Sequence, residues 1–383
     1  MNCAVKLSAN CRNFSLEIVY FTAFGNEASN IVLSPFSLWT LMFGVRLGTT
    51  DVSDKELRRA LILSRRNGGE LINDYTHLTD QVVNSDSTGV TLMSQNAMVL
   101  DHQLQVNTGF VGDAVKVIER IHVNDTGLES VAEMVHKELP ESGIQVKNMV
   151  ILKDSNKTRM VFANRMHFKG LWSMPFDRAA TTVEPFYDEN GKLIGKVNMM
   201  YQRNKFPFAN VRELNAFVLE LPYGDDGKYC MLILLPWVGK SVTEVYENLS
   251  EFPVTNIFYK MYNDTHKYGL EHIDVRIPRF KIGTHVELIK PFNDMNVKAI
   301  FMPADAKFSR FTNESIYVSS VTQIGDIEVT EAGVVASDTL ETNSTRTITT
   351  PGYTANKPFI YFIFEKTTVS MIYAGVYSKP TVY

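Results

Sequence analysis

The segment that most constrains this chain is Gly333 to Lys357, about twenty-five residues of mostly small and polar type lying between two strong strand signals. Compact domains seldom carry a structureless connection of that length, and when they do it is functional or disordered. Composition alone leaves both readings open, a working segment or a floppy surface excursion. The rest of the sequence has ample material for a core: 45% of the 383 residues are hydrophobic and 11% aromatic. That is far from the low hydropathy and high net charge of a disordered chain. No Pro- or Ser-rich linker, low-complexity block or internal repeat divides it.

Periodicity separates an early helical part from a later strand-rich part. Phe14, Ile18 and Phe21 recur at helical spacing, as do Leu38, Leu41, Met42 and Val45 after Pro35. Asp54 to Ile62 and Leu128 to Leu139 read as further helices, with Gly68–Gly69 as a break. Met160 to Phe168, bounded by Lys169–Gly170, and Ile273 to Ile277, stopped by Pro278, read as strands. Phe217 to Leu221 and Tyr229 to Leu235 flank Gly224–Asp225–Asp226–Gly227 and predict a hairpin. Phe359 to Phe364 and Val369 to Val376, around Lys366–Thr367–Thr368, predict another. A continuous apolar run such as Met231 to Leu235 suits a strand covered on both faces. Helices early and antiparallel strands late predict an α+β architecture.

Charge and chemistry exclude several function classes. With 38 basic and 42 acidic residues well mixed and a net charge of -4, nothing favours nucleic acid or an anionic membrane surface. Arg58–Arg59 and Arg65–Arg66 read as solvated helix surface, with a small anion-binding patch as the sharper alternative. No run approaches the 18 apolar residues of a membrane span. Three cysteines (Cys3, Cys11 and Cys230) form neither a disulfide framework nor a metal-ligand spacing, so reduced thiols are expected, with Cys230 in the core. Met1 to Phe24 lacks the pattern of a cleaved secretory signal. Seven Asn-x-Ser/Thr sequons, starting at Asn13, Asn124, Asn156, Asn248, Asn263, Asn313 and Asn343, hint at a glycosylated extracellular life. Localisation therefore stays open between extracellular or surface-associated without a cleaved signal, and cytoplasmic. The sequence has no Gly-x-Ser-x-Gly elbow, phosphate-binding Gly loop, dinucleotide fingerprint or His-Glu-x-x-His helix. Its eight histidines, His102, His136 and His167 among them, form no pair at metal-ligand spacing. No enzyme, cofactor or metal is expected.

A series of motifs runs nearly end to end: Asn30–Ile31–Val32–Leu33–Ser34–Pro35–Phe36–Ser37, Phe162–Ala163–Asn164, Phe168–Lys169–Gly170–Leu171–Trp172 and Pro175–Phe176. It continues with Leu219–Glu220–Leu221–Pro222–Tyr223, Leu234–Leu235–Pro236, Pro278–Arg279–Phe280–Lys281 and Glu331–Ala332–Gly333. Asn356–Lys357–Pro358–Phe359 and Met371–Ile372–Tyr373–Ala374–Gly375 close it. In this order the motifs resemble the serpin family of serine protease inhibitors, in its ovalbumin-like type without a cleaved signal peptide. The resemblance implies a single domain over 1–383, with three β-sheets and about nine helices, and an exposed reactive-centre loop with its hinge over 333–357.

It further implies a metastable suicide substrate. A protease cuts the loop, and the freed loop inserts into the central sheet as a new strand before the acyl-enzyme is hydrolysed. Carried over by resemblance, Glu331, Gly333, Val334, Ala336 and Asp338 belong to the hinge. Ser34, Ser37, Asn164, Trp172 and Gln323 belong to the shutter and breach that open the sheet, with Gln323 where the family has a histidine. Each has a plainer reading: a serine before proline caps a helix, and a tryptophan fills a core. Strand alternation counted from the hinge glycine points Val334, Ala336, Asp338, Leu340, Thr342 and Ser344 inward. Burying the Asp338 carboxyl protonated and unpaired costs roughly 2–7 kcal/mol, so the body of the protein must supply the drive.

The usual family count places Thr347 before the cut, and a loop one residue shorter places Arg346 there. Arg346 is the only basic residue between Gly333 and Lys357, which favours the bond Arg346–Thr347 and a trypsin-like protease as the covalent partner. A monomer that can form loop-sheet polymers is expected, and no dense basic stripe suggests a glycosaminoglycan cofactor. The alternative is a non-inhibitory serpin acting as a carrier, storage or chaperone-like binding protein.

Overall fold

Apolar spacing places the first helices where the sequence predicts them. The computed structural model of the protein describes residues 3–24, 29–64, 68–83, 87–101, 104–107, 119–123, 160–334 and 352–381. Helix α1 (Cys3–Val19) ends in one π turn at Tyr20–Phe24, and β1 (Ile31–Leu33) leads through Ser34 into α2 (Pro35–Leu47). Helices α3 (Asp51–Ala60) and α4 (Gly68–Val83) follow, so Gly68–Gly69 opens a helix as well as ending the preceding one. Strand β2 (Val90–Asp101) lies within the part that reads as helical, and β3 (Glu119–Val123) comes next. The helix expected over Leu128–Leu139 lies outside the described residues.

Strand β4 (Met160–Leu171) runs straight through Lys169–Gly170 instead of stopping there. Then come β5 (Thr182–Tyr187), β6 (Leu193–Lys205), β7 (Phe208–Val211), β8 (Ala216–Tyr223) and β9 (Tyr229–Pro236). Helices α5 (Val242–Glu247) and α6 (Val254–Tyr268) precede β10 (His272–Pro278) and β11 (Phe280–Glu287). Helix α7 (Ile289–Asp294) precedes β12 (Ser320–Val329) and the two-residue β13 (Gly333–Val334). The chain closes with β14 (Gly352–Thr354), β15 (Phe359–Glu365) and β16 (Ser370–Tyr377). Both expected hairpins are present, as β8–β9 and β15–β16.

The strands form three sheets, an α+β architecture. The first has the order β1-β16-β15-β9-β8-β7, and every pair in it is antiparallel. Strands β9, β15 and β16 are buried at every position; α1 and α2 pack on β16, and the helix Val242–Glu247 packs on β9 and β15. The second sheet has the order β14-β10-β6-β5. The third, central sheet has the order β11-β12-β4-β2-β3, with β13 added on β4.

The expected antiparallel arrangement holds throughout only the first sheet. In the central sheet β12 is parallel to β4 and β3 to β2, and in the second sheet β14 is parallel to β10. Parallel neighbours need a long crossover, and the chain between β4 and β12 supplies one. Helix α2 is apolar on nearly all sides and buried from Pro35 to Arg46, as a helix enclosed by the core must be. It packs on β16 and also on β2 and β4. That position brings its first turns under the central sheet.

Candidate functional site

The central sheet contains an open seam. Strands β4 and β12 pair over Val161–Arg165 and Ser320–Ile324, and no pairing between them continues beyond Arg165 and Ile324. Both strands run on, to Leu171 and Val329, each paired on its far side with β2 and β11. At the end of the seam β13 pairs antiparallel with β4, Gly333 opposite Leu171 and Val334 opposite Gly170. Between these points Met166–Lys169 and Gly325–Val329 face each other as inner edges. Edges of this kind are templates for another strand. Because β4 and β12 are parallel, one strand entering between them from β13 runs antiparallel to both.

A polar cluster closes the seam at its paired end. Gln323 and Asn164 are register partners across it, both almost wholly buried. Gln323 Nε2 donates to Asn164 Oδ1 and, at 3.0 Å, to the Ser34 carbonyl. Its Oε1 accepts from the Ser34 backbone N–H at 2.7 Å. Asn164 Nδ2 donates to Ser37 Oγ and, at 2.6 Å, to Asn96 Oδ1. Asn96 donates to Thr40 Oγ1 at 3.0 Å, and the hydroxyls of Ser37 and Ser94 lie 3.1 Å apart. One network thus joins α2, β2, β4 and β12, built among the described residues from amides and hydroxyls, and Thr40 also meets the phenol of Tyr75, which burial keeps protonated. Buried polar groups are stable only when paired, so this seam parts at the cost of exchanging those bonds.

The residues reach the cluster for local reasons. Pro35 at the first helical position fixes the start of α2, and Ser37 and Thr40 stand one turn apart, with Thr40 Oγ1 donating to the Ser37 carbonyl at 2.7 Å. Ser34 is the residue before the helix, but its side chain makes no capping bond. Its hydroxyl donates to the Ile372 carbonyl at 2.9 Å instead, and its own N–H donates to Gln323 Oε1. The plainer reading as a helix cap is thereby corrected. Ser94 and Asn96 on β2 are members that the motifs do not single out. Period-two alternation was their signal: Val90, Leu92, Met98 and Leu100 are apolar, and these two polar residues interrupt that series.

At the other end of the seam, Trp172 and the hinge come together. The Trp172 ring stacks on Tyr223 at 4.3 Å between centroids and 11° between planes, and its Nε1 donates to the Thr330 carbonyl at 2.9 Å. The Trp172 N–H donates to the Ala332 carbonyl at 3.0 Å and the Phe176 N–H to the Glu331 carbonyl at 2.8 Å. Glu331 Oε1 accepts from Thr181 Oγ1 at 2.8 Å and lies 3.7 Å from Arg279. Gly333 has φ +124, and a Cβ there would sit 2.3 Å from the Gly170 carbonyl oxygen, so the turn into β13 requires glycine.

Of the expected loop over 333–357, both described ends are strand, β13 and β14. Ala336, Asp338, Arg346 and Thr347 lie outside the described residues. Cys11 and Cys230 are free and buried, and burial pushes the Cys11 thiol up to about 12 and the Cys230 thiol up as well, which makes both inert. Among the described residues no group of three or more His, Cys, Asp or Glu side chains could hold a metal ion. No helix among them is long and apolar enough to cross a membrane.

Comparison with known proteins gives the same frame. The family model described as serpin (serine protease inhibitor) matches residues 9–380. The chain is 26% identical to the leukocyte elastase inhibitor of Homo sapiens, over 97% of this chain and 99% of that protein. It is 29% identical to intracellular coagulation inhibitor 2 of Tachypleus tridentatus, over 91% and 86%. The crystal structure of human glycosylated kallistatin superposes with a TM-score of 0.85 at 22% identity, covering 100% of both chains.

Proposed function

The chain belongs to the serpin family, and on that premise we propose that it traps a trypsin-like serine protease through the bond Arg346–Thr347. It is a protease inhibitor and not an enzyme. The protease serine attacks the Arg346 carbonyl carbon, the Thr347 nitrogen leaves with a proton, and an ester holds the enzyme on Arg346. After that cut the Thr347 end continues into β14, whereas the Arg346 end continues from β13.

The observation that carries this reading is the register of β13 on β4. Extended downward, it sets Ala336 opposite Phe168, Asp338 opposite Met166 and Leu340 opposite Asn164. Directly opposed residues share a face, and Phe162, Asn164 and Phe168 are buried, so the inward set begins at Val334 and alternates from there. Leu340 would take the place beside Asn164 that Gln323 holds now. Insertion past Thr339 therefore has to break the Gln323–Asn164 bond, which makes the polar cluster the latch and the open seam the receiving site. Arg346 supplies the specificity, because a pocket with a buried carboxylate selects a cationic side chain.

Trypsin mixed with the protein is expected to give a covalent complex that survives boiling in detergent, with the released fragment starting at Thr347. Arg346→Ala is expected to reduce trypsin capture by about a thousandfold. Simple digestion of the loop with trypsin left active overturns the proposal and favours a binding role.

A further inference from the structure

The outer face of the second sheet gathers cations that no run in the sequence reveals. Strands β6 and β10 pair with Lys205 opposite His272, Arg203 opposite Asp274 and Tyr201 opposite Arg276. The alternate residues Ile273, Val275 and Ile277 are buried, so these three cross-strand pairs share the other face. Arg203, Lys205 and His272 are exposed and Arg276 is half-buried. Arg276 lies over the Tyr201 ring, 4.6 Å from its centre, and Tyr201 donates its hydroxyl to Asp274 at 3.0 Å. The stack holds one guanidinium in a fixed orientation and engages the carboxylate. Glu271 stands just outside the strand. Three permanent cations around one carboxylate give this face a sign opposite to the net charge of -4.

The face also borders the strand that follows the reactive loop. Strand β14 lies alongside β10, with Gly352 beside Asp274 and Thr354 beside Arg276. From Thr347 to Gly352 the chain reaches at most about 18 Å. A protease engaged at Arg346–Thr347 must therefore overhang this sheet.

We propose that the face formed by Arg203, Lys205, His272 and Arg276 docks an acidic surface patch of the protease during the encounter that precedes cleavage. This rests on Arg346–Thr347 being the bait. The contact serves the encounter alone. Cleavage separates Arg346 from β14, and the acyl-enzyme leaves this face with Arg346 as the loop inserts between β4 and β12. The face raises the rate of capture and leaves the yield of trapped enzyme unchanged.

Anionic and cationic trypsins share an arginine-selective pocket and differ in surface charge, which makes them the probes. At low salt the wild-type protein is expected to capture the anionic form about tenfold faster than the cationic form, an advantage that shrinks as salt rises. The double variant Arg203→Glu/Lys205→Glu is expected to lose or invert that preference, with melting and covalent yield unchanged. Equal capture of both trypsins by the wild type, or an undiminished preference in the variant, overturns the proposal. Binding of anionic trypsin with its catalytic serine replaced by alanine separates the two readings. Binding of that inactive enzyme that the variant loses, with no covalent band from either protein when active trypsin is used, keeps the docking face and sinks the bait bond. A covalent band formed at an unchanged rate does the reverse. A sulfated polysaccharide whose binding is lost in the variant, while trypsin binding is not, assigns the face to a polyanion and also overturns the proposal.

Discussion

In the sheet built around β9 and β15 the strands are paired along their lengths with a single bulge between Ile363 and Phe364, whereas β4 and β12 meet over five residues and then part. The first seam is closed mainly by apolar side chains, with Glu365 and Ser370 as polar exceptions at the β15–β16 turn, and every position of β9, β15 and β16 is buried. The second is closed by amides and hydroxyls: Gln323, Asn164, Ser34 and Ser37. Apolar packing loses contact with any displacement and gains nothing from a new neighbour. Hydrogen bonds can be exchanged for others of similar worth, so a polar seam can open with little net cost once a strand arrives to replace it. On the proposed mechanism one sheet is a fixed foundation and the other a joint.

Substitutions in the two seams should separate these roles. Phe362→Ala, in the fixed sheet, is expected to cost about 3–5 kcal/mol in both the intact and the loop-cut protein, read from denaturant melts of each. A cost confined to the intact form would erase the distinction. Gln323→Ala leaves the Ser34 N–H and carbonyl and Asn164 Oδ1 short of partners, and is expected to cost the intact form about 2–4 kcal/mol and the cut form less. The same variant should associate on warming, seen by light scattering, because its latch is weaker.

Gly333→Val acts at the start of the joint. The forced departure from φ +124 and the clash with the Gly170 carbonyl are expected to cost about 1–3 kcal/mol at β13. Insertion then starts late, and gel densitometry should show more cut inhibitor and less covalent complex. Gln323→His gives the smallest effect and the sharpest signature. A neutral imidazole offers one donor and one acceptor, whereas the charged ring offers two donors and none to accept from Ser34 N–H. That variant is expected to lose about 1 kcal/mol as pH falls through about 6.5, while the wild-type seam, whose amides and hydroxyls do not titrate there, keeps a flat profile.

Much of this was legible before any coordinates. The hairpins and the buried run of β9 follow from apolar pattern and turn residues, and the motifs around Ser34, Asn164 and Trp172 mark positions that the fold brings to the two ends of one seam. What stayed hidden has a common cause. Strand β2 reads poorly because Ser94 and Asn96 break its apolar alternation, and those two residues are polar because they face the cluster. Strand direction in the central sheet and the cationic face of the second sheet depend on pairing between distant segments, which local pattern does not encode. The hydroxyl of Ser34 illustrates the limit: its cap role is a sound local inference, and a tertiary partner, the Ile372 carbonyl, overrides it.

The proposed trap requires the gap between β4 and β12 to receive the cut loop. Hydrogen exchange of the amides in Met166–Lys169 and Gly325–Val329, measured before and after cleavage at Arg346, tests it most directly. Strong new protection of these two edges, together with a higher melting temperature of the cut form, is the expected result. Unchanged exchange there, in a cut protein that melts no later than the intact one, contradicts it.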